Sequence, residues 1–132
     1  MLGSSAAEVG KISMLCDKVT SLKMKATIPC YTVGDAEAII DECRPLLAKI
    51  VEVMGENDWL AGPALCWLDF YFAELVDMLN TLSDGLFYAE MPSLQTYWDR
   101  FISLPRLGDA WANDDILMKA PFNNKMAKLL NC

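Results

Sequence analysis

The sequence predicts an all-α fold, a bundle of about five helices packed around one buried central helix, with an extended C-terminal tail. Apolar residues recur at intervals of three and four through most of the chain, which is the helical period. Short breaks containing Gly, Pro or Asp separate these segments, and we find no strand pattern. The segment 66–82 is apolar on almost every side, so it must pack among other helices. We therefore predict that residues 1–132 form one domain.

Polar cap residues and helix breakers mark the first two helices. One of the serines at 4–5 can open the first helix, and Pro29 is expected to end or kink it. Asp35 can cap the second helix, and Gly55 is well placed to end it. Pro45 interrupts the second pattern, so that helix either starts or bends there. The predicted apolar face of the first helix comprises Val9, Ile12, Cys16, Val19 and Leu22.

The central helix is predicted from Cys66 to about Leu82. Asp69 lies at its third position, where a carboxylate can accept the N–H of the cap residue and face the positive end of the helix dipole. Cys66 occupies the cap, and sulfur is a weak acceptor. We expect the missing oxygen cap to cost about 1 kcal/mol, so Asp69 and packing must hold this helix end. One predicted stripe comprises Leu65, Leu68, Phe72, Leu75, Val76, Leu79 and Leu82, with Trp67, Phe70 and Tyr71 on the opposite side.

Two more helices and a tail complete the predicted bundle. A fourth helix is expected from about Pro92 to Ile102, and a fifth from residues 104–105 to about Asn113. The last dozen residues contain Pro121 and an Asn pair. This composition favours an extended tail laid back on the bundle.

Composition limits the classes of function. The formal net charge is −7, and an acidic chain without a basic cluster argues against nucleic acid and anionic membrane surfaces as partners. The longest apolar run, residues 59–76, is interrupted by a Gly-Pro pair and two carboxylates, so we predict no membrane span. The five cysteines are odd in number and scattered. We expect reduced thiols and a cytoplasmic location.

The residues that carry most catalytic chemistry are missing from the sequence. It contains no His, which is the usual general base at neutral pH. We find no phosphate-binding Gly-rich loop, nucleophile elbow or metal-ligand spacing. The adjacent carboxylates at 41–42 and 114–115 are expected to be surface acids or helix caps. The sequence therefore predicts no catalytic residues, no metal and no cofactor in this chain.

Several motifs resemble one family along nearly the whole chain. Residues 59–62, Trp-Leu-Ala-Gly, followed by the Asp69-Phe70 helix start, are similar to the folding signature of the all-helical half of cytosolic glutathione transferases. Residues 91–94, 98–101 and 104–105 resemble the family's later Pro-x-Leu, Arg-Phe and Leu-Pro stretch. Residues 120–128 resemble the tail of the mu class. Cys66 departs from the family, which usually places Ser or Thr at this cap.

The resemblance implies how such a domain works. In this family an N-terminal thioredoxin-like domain holds glutathione and activates its thiol, while the helical domain supplies most of the pocket for the hydrophobic co-substrate. This chain resembles the helical half alone, so glutathione is expected as co-substrate only if the chain pairs with a thioredoxin-like domain. By position, the resemblance implies pocket residues Met24, Thr27, Tyr31 and Asn124, with the Tyr31 hydroxyl facing the electrophile.

Other interpretations of these positions stay open. Tyr31 could be a core aromatic packed under Pro29, and Met24 and Thr27 could be ordinary helix residues. Ser21 occupies the position of a family acid that reaches the partner subunit's glutathione site, which puts that contact in doubt.

Three functions are compatible with the sequence. The first is a structural or protein-interaction subunit, non-catalytic on its own, with a protein partner such as a thioredoxin-like domain, a second copy in a homodimer or a larger complex. The second is the co-substrate half of a mu-like glutathione transferase that conjugates glutathione to electrophiles. The third is a bundle that sequesters apolar small molecules.

Overall fold

A computed structural model describes residues 3, 5–105, 107–113 and 125–130 of the chain. These residues form six helices and no strand, which confirms the all-α prediction. The helices are α1 (Ala6–Thr32), α2 (Ala36–Met54), α3 (Trp67–Leu82), α4 (Leu86–Glu90), α5 (Pro92–Ile102) and α6 (Leu107–Asn113). The five-residue α4 was not predicted from the sequence.

The predicted caps set the ends of α1 and α2. The Ser5 side chain accepts the backbone N–H of Glu8 at 3.2 Å, and Asp35 accepts that of Ala38 at 3.2 Å. Gly55 ends α2 with φ of 56°, a left-handed conformation that glycine adopts without steric cost. These three predictions are confirmed.

Pro29 and Pro45, which were expected to bound or bend their helices, both lie inside helices. α1 continues through Pro29 to Thr32, and α2 passes through Pro45. Predictions that α1 ends at Pro29 or that α2 starts at Pro45 are therefore wrong. A proline removes one backbone donor from a helix, yet both helices continue past their proline while they pack on each other.

The buried face of α1 is rotated slightly from the predicted one. Leu15 belongs to the core, whereas Val9 is exposed and Cys16 is half-buried. The core face follows a regular three- and four-residue spacing and comprises Ile12, Leu15, Val19, Leu22, Ala26 and Cys30.

α3 is the central helix, in contact with α1, α2, α4 and α5. Most of its predicted stripe is buried, with Leu65 and Leu82 half-buried at the two ends. Its first turn is less enclosed than predicted, because Trp67 is 39% exposed and Phe70 is 41% exposed. The Phe70 ring nevertheless packs edge-on against Phe101, with centroids 5.4 Å apart.

Residues 125–130 return to the end of α1. The backbone N–H of Lys128 donates to the carbonyl of Cys30 at 2.7 Å, and Ala127 is buried. This part of the tail lies on the bundle as predicted, whereas Asn124 and Cys132 lie outside the described residues. Among the described helices, none is both long and apolar enough to cross a membrane.

Candidate co-substrate surface and the helix-capping centre

The start of α3 is organised around the carboxylate of Asp69, which is fully buried. One carboxylate oxygen accepts the N–H of Cys66 at 2.8 Å, and the other accepts the N–H of Leu60 at 2.9 Å. The same group faces the positive end of the α3 dipole. Asp69 therefore joins the helix start to the preceding loop as well as capping the helix.

Cys66 and Asp69 cap the helix start reciprocally. The Asp69 carboxylate accepts the N–H of Cys66, while the Cys66 thiol faces the backbone N–H of Asp69. Sulfur accepts hydrogen bonds weakly, so this contact contributes less than a hydroxyl would. Burial and the neighbouring Asp69 carboxylate raise the pKa of the Cys66 thiol to about 11. At neutral pH the thiol is protonated and therefore a poor nucleophile, which makes Cys66 a structural residue.

Tyr97 of α5 ties this centre to the rest of the core. Its hydroxyl lies 3.0 Å from the Asp69 carbonyl and 3.1 Å from a carboxylate oxygen. The ring packs edge-on against Trp59 and Phe72, with centroid distances of 6.0 and 5.5 Å. Burial, followed by the Asp69 charge, raises the pKa of the Tyr97 hydroxyl. The hydroxyl therefore stays protonated and serves as a donor.

The predicted pocket residues of α1 lie on one stripe that is separate from its core face. Met24, Thr27 and Tyr31 are spaced i, i+3, i+7, which places them one above another along a helix. Met24 is 53% exposed, whereas Thr27 and Tyr31 are half-buried. The stripe thus combines an exposed methionine with a half-buried threonine and a half-buried tyrosine.

Thr27 has an unusual environment for a helix-surface residue. Its hydroxyl oxygen is buried and has no hydrogen-bond partner among the described residues. A buried polar atom without a partner costs free energy, so a ligand group or a water that reached this hydroxyl would be favoured there. The atom is the one polar feature of the stripe that points to binding rather than to packing.

The C-terminal segment borders the end of this stripe. The Cys30 carbonyl that accepts the Lys128 N–H belongs to the same peptide unit as the Tyr31 nitrogen. Residues 125–130 therefore contact the peptide that joins Cys30 to Tyr31. The predicted contribution of Asn124 stays a prediction. The described residues contain no cluster of His, Cys, Asp or Glu suited to a metal ion.

A concave surface, distinct from the stripe, lies between α1 and the start of α3. It is an open groove of about 550 Å³ lined by Gly3, Val9, Ile12, Ser13, Cys16, Asp17 and Trp67. Most of this lining is apolar, and both Val9 and Trp67 expose large parts of their side chains. This surface was not predicted from the sequence, because Val9 was expected in the core and Trp67 was expected to be covered by other helices.

Comparison with known proteins places this arrangement in a family. The family profile described as "Glutathione S-transferase, C-terminal domain" matches residues 19–105, which run from α1 to the end of α5 and include the whole capping centre. This chain belongs to that family. The family predicted from the sequence motifs is thereby confirmed.

The similar curated proteins are glutathione S-transferases of the mu class. The chain is 26% identical to Glutathione S-transferase Mu 3 of Homo sapiens, over 97% of the chain and 57% of that relative. It is 25% identical to Glutathione S-transferase Mu 5 of Mus musculus, over 97% of the chain and 58% of the relative. A class-mu 26 kDa isozyme of Fasciola hepatica is 25% identical, over 96% of the chain and 59% of the relative. The chain thus spans less than three-fifths of these relatives' length.

Two contacts around Asp69 were not predicted from the sequence. The Leu60 N–H and the Tyr97 hydroxyl were not predicted, because they come from residues 9 and 28 positions away in the sequence. Only the general rule that a buried tyrosine hydroxyl needs a partner could have suggested the second one.

Proposed function

We propose that this domain forms the hydrophobic co-substrate side of a mu-like glutathione transferase and works together with a thioredoxin-like domain. The observation that carries the proposal is the stripe of Met24, Thr27 and Tyr31, with the unpartnered Thr27 hydroxyl at its middle. The mu-class relatives support the same function at the level of the family. The reaction would be conjugation of glutathione to an apolar electrophile.

The chemistry of the described residues suits binding better than activation of a thiol. Burial and neighbouring groups keep Cys43 and Cys66 protonated, each with a pKa of about 11. Activating glutathione requires a group that lowers the pKa of its thiol. We assign that step to the thioredoxin-like domain, and we propose that the present chain alone does not catalyse conjugation.

Binding of anilinonaphthalene sulfonate, a fluorescent dye with an aromatic body and a sulfonate group, tests the stripe directly. Met24→Ala and Thr27→Val are expected to weaken dye binding at least threefold, because they remove apolar contact area and the buried hydroxyl. Met14→Ala is the matched control for Met24→Ala, since Met14 is also an exposed methionine of α1, at 44% exposure, but lies off the stripe. Thr96→Val on α5 is the control for Thr27→Val. Equal dye affinities in all four variants would contradict the proposal.

A conjugation assay tests the division of labour. The purified chain, glutathione and a chloronitrobenzene electrophile should react no faster than the same mixture without protein. A rate that rises in proportion to the concentration of the chain would show that the helical domain is active on its own.

A structural or interaction subunit is the second candidate, and the groove at the start of α3 favours it. An open, mostly apolar groove of about 550 Å³ suits a protein surface that is covered in an assembly. The occupant could be the thioredoxin-like domain or a second copy of the chain. A cytoplasmic location stays part of both candidates, supported by the five scattered cysteines.

Sedimentation of the purified chain tests the second candidate. Self-association at tens of micromolar that is lost in Trp67→Glu would support an assembly through the groove. Leu86→Glu is the matched control, because Leu86 and Trp67 are both 39% exposed but Leu86 lies on α4. A monomer that binds no thioredoxin-like domain would count against this candidate.

A further inference from the structure

We propose that Gly34 and Lys128 form a latch that fixes residues 125–130 against the end of α1, over the peptide that joins Cys30 to Tyr31. The latch would set how far the co-substrate surface is open at Tyr31, and this second statement rests on the function proposed above. The latch itself is a conformation of the chain, so its presence can be tested without a ligand.

Hydrogen bonds form the first part of the latch. The last carbonyls of a helix have no partner within it, and the tail supplies partners at the end of α1. The Cys30 carbonyl accepts the N–H of Lys128 at 2.7 Å and lies 3.4 Å from that of Leu129. The Lys128 ammonium group donates to the Thr32 carbonyl. A cation at this position also faces the negative end of the helix dipole.

Gly34 forms the second part. It follows α1 with φ of +74°, and a Cβ built on it would lie 2.8 Å from the Cβ and 3.0 Å from the Cδ of Lys128. Real Cβ atoms do not approach other atoms so closely, so a side chain at position 34 would push Lys128 away. The absence of a side chain at Gly34 therefore lets the tail reach the carbonyls of α1.

Residues 125–130 are irregular rather than helical, so we infer that the latch can open without unfolding the bundle. Ala127 is 2% exposed, but the neighbouring Met126 is 81% exposed. Each hydrogen bond between protein groups adds only a small net stabilisation in water, because it replaces hydrogen bonds to water. Segments held by a few such bonds open locally far more often than a core helix does. Opening here would uncover the peptide of Tyr31, at the edge of the proposed co-substrate surface.

Hydrogen exchange of the Leu129 amide in two glycine variants tests the latch. Gly34→Ala and Gly85→Ala introduce the same methyl group at left-handed positions, with φ of +74° and +84°. A Cβ at Gly85 meets nothing within 4 Å, so that variant carries the backbone strain without any contact to the tail. We expect exchange at Leu129 to become at least tenfold faster in Gly34→Ala and to stay within twofold in Gly85→Ala. Equal exchange rates in the two variants would overturn the latch.

A pair of lysine variants covers the case in which Gly34→Ala does not fold. Lys128→Ala removes the ammonium group that reaches Thr32, whereas Lys125→Ala removes an exposed lysine from the same segment. Leu129 should exchange several-fold faster in Lys128→Ala than in Lys125→Ala. The double variant Gly34→Ala/Lys128→Gly removes the clashing Cβ, so it should recover part of the protection that Gly34→Ala loses. Equal exchange in the lysine pair would also overturn the latch.

Dye binding separates the latch from the proposed function. If both hold, Gly34→Ala changes the affinity for anilinonaphthalene sulfonate at least threefold and Gly85→Ala does not. If exchange responds as expected but the unaltered chain binds no dye, the latch stands and the proposed co-substrate function fails. If dye binding depends on Met24 while exchange at Leu129 ignores Gly34, the function stands and the latch fails.

Discussion

Asp69 accepts hydrogen bonds from three different parts of the chain, and removal of its carboxylate leaves two buried backbone donors, the N–H groups of Leu60 and Cys66, without a partner. The Tyr97 hydroxyl loses one acceptor and keeps the backbone carbonyl of residue 69. A single buried donor left unpaired costs about 1–3 kcal/mol. We expect Asp69→Ala to lower the free energy of unfolding by about 3–5 kcal/mol in urea denaturation. Glu52→Ala, at an exposed position of α2, is the control, and equal stabilities would show that the Asp69 contacts contribute little.

Tyr97→Phe separates the hydroxyl from the ring. The ring keeps its edge-on contacts with Trp59 and Phe72, while the two hydrogen bonds to Asp69 disappear. The expected loss is about 1–2 kcal/mol in the free energy of unfolding. Tyr71→Phe serves as the control, since Tyr71 is half-buried and its ring is covered by Lys23. A loss of equal size in both variants would contradict a special role for the Tyr97 hydroxyl.

Cys66→Ser restores an oxygen at the cap of α3. A hydroxyl accepts the backbone N–H of Asp69 better than sulfur does, so we expect the free energy of unfolding to rise by about 0.5–1 kcal/mol. Cys43→Ser is the matched control, because Cys43 is equally buried but lies inside α2 and caps nothing. The control should be destabilised, because it buries a hydroxyl in the apolar core. Destabilisation of Cys66→Ser as well would mean that burial outweighs capping at position 66.

At the scale of the helices, local chemistry predicted most ends but misjudged the prolines. Ser5, Asp35 and Gly55 act within one turn of their own positions, so their effect can be read from the sequence. Whether a helix tolerates a proline depends on tertiary packing, which single-sequence patterns do not contain. The five-residue α4 is too short to show a period, which explains why it was missed.

Pro45→Ala tests how much the proline costs α2. Pro45 is exposed in the middle of the helix, where it supplies no backbone donor. Alanine would restore that donor and has a far better helix propensity, by about 3 kcal/mol in model helices. We expect an increase of about 1–2 kcal/mol in the free energy of unfolding, since proline also restricts the unfolded chain. A loss of stability in thermal denaturation would show that the bundle depends on the shape that Pro45 gives α2.

At the scale of the whole molecule, the sequence predicted the buried centre better than the exposed surfaces. Periodicity places Phe72 and Leu79 in the core because those positions repeat along α3. The same signal cannot show that Trp67 stays exposed, because that depends on which element covers the first turn. The contact between Lys128 and α1 could not be predicted for the same reason, since Lys128 and Cys30 are 98 positions apart in the chain.

Two thiols and two tyrosine hydroxyls that are shielded from water make the stability of the bundle depend on alkaline pH. Burial raises the pKa of the Cys43 and Cys66 thiols from 9.0 to about 11, and it raises the pKa of Tyr88 and Tyr97 in the same direction. The folded chain therefore keeps protons that the unfolded chain releases above pH 9, so unfolding becomes more favourable as the pH rises.

We expect the urea midpoint to be nearly constant from pH 7 to 8.5 and to fall progressively as the pH rises from 9 through 11. In Cys43→Ala the slope of this decline should be smaller, because one of the proton-linked groups is gone. Cys16→Ala is the matched control, since Cys16 is only half-buried. A midpoint that rises between pH 9 and 11 would contradict the sign of the linkage, and equal slopes in the two variants would show that the Cys43 thiol does not contribute.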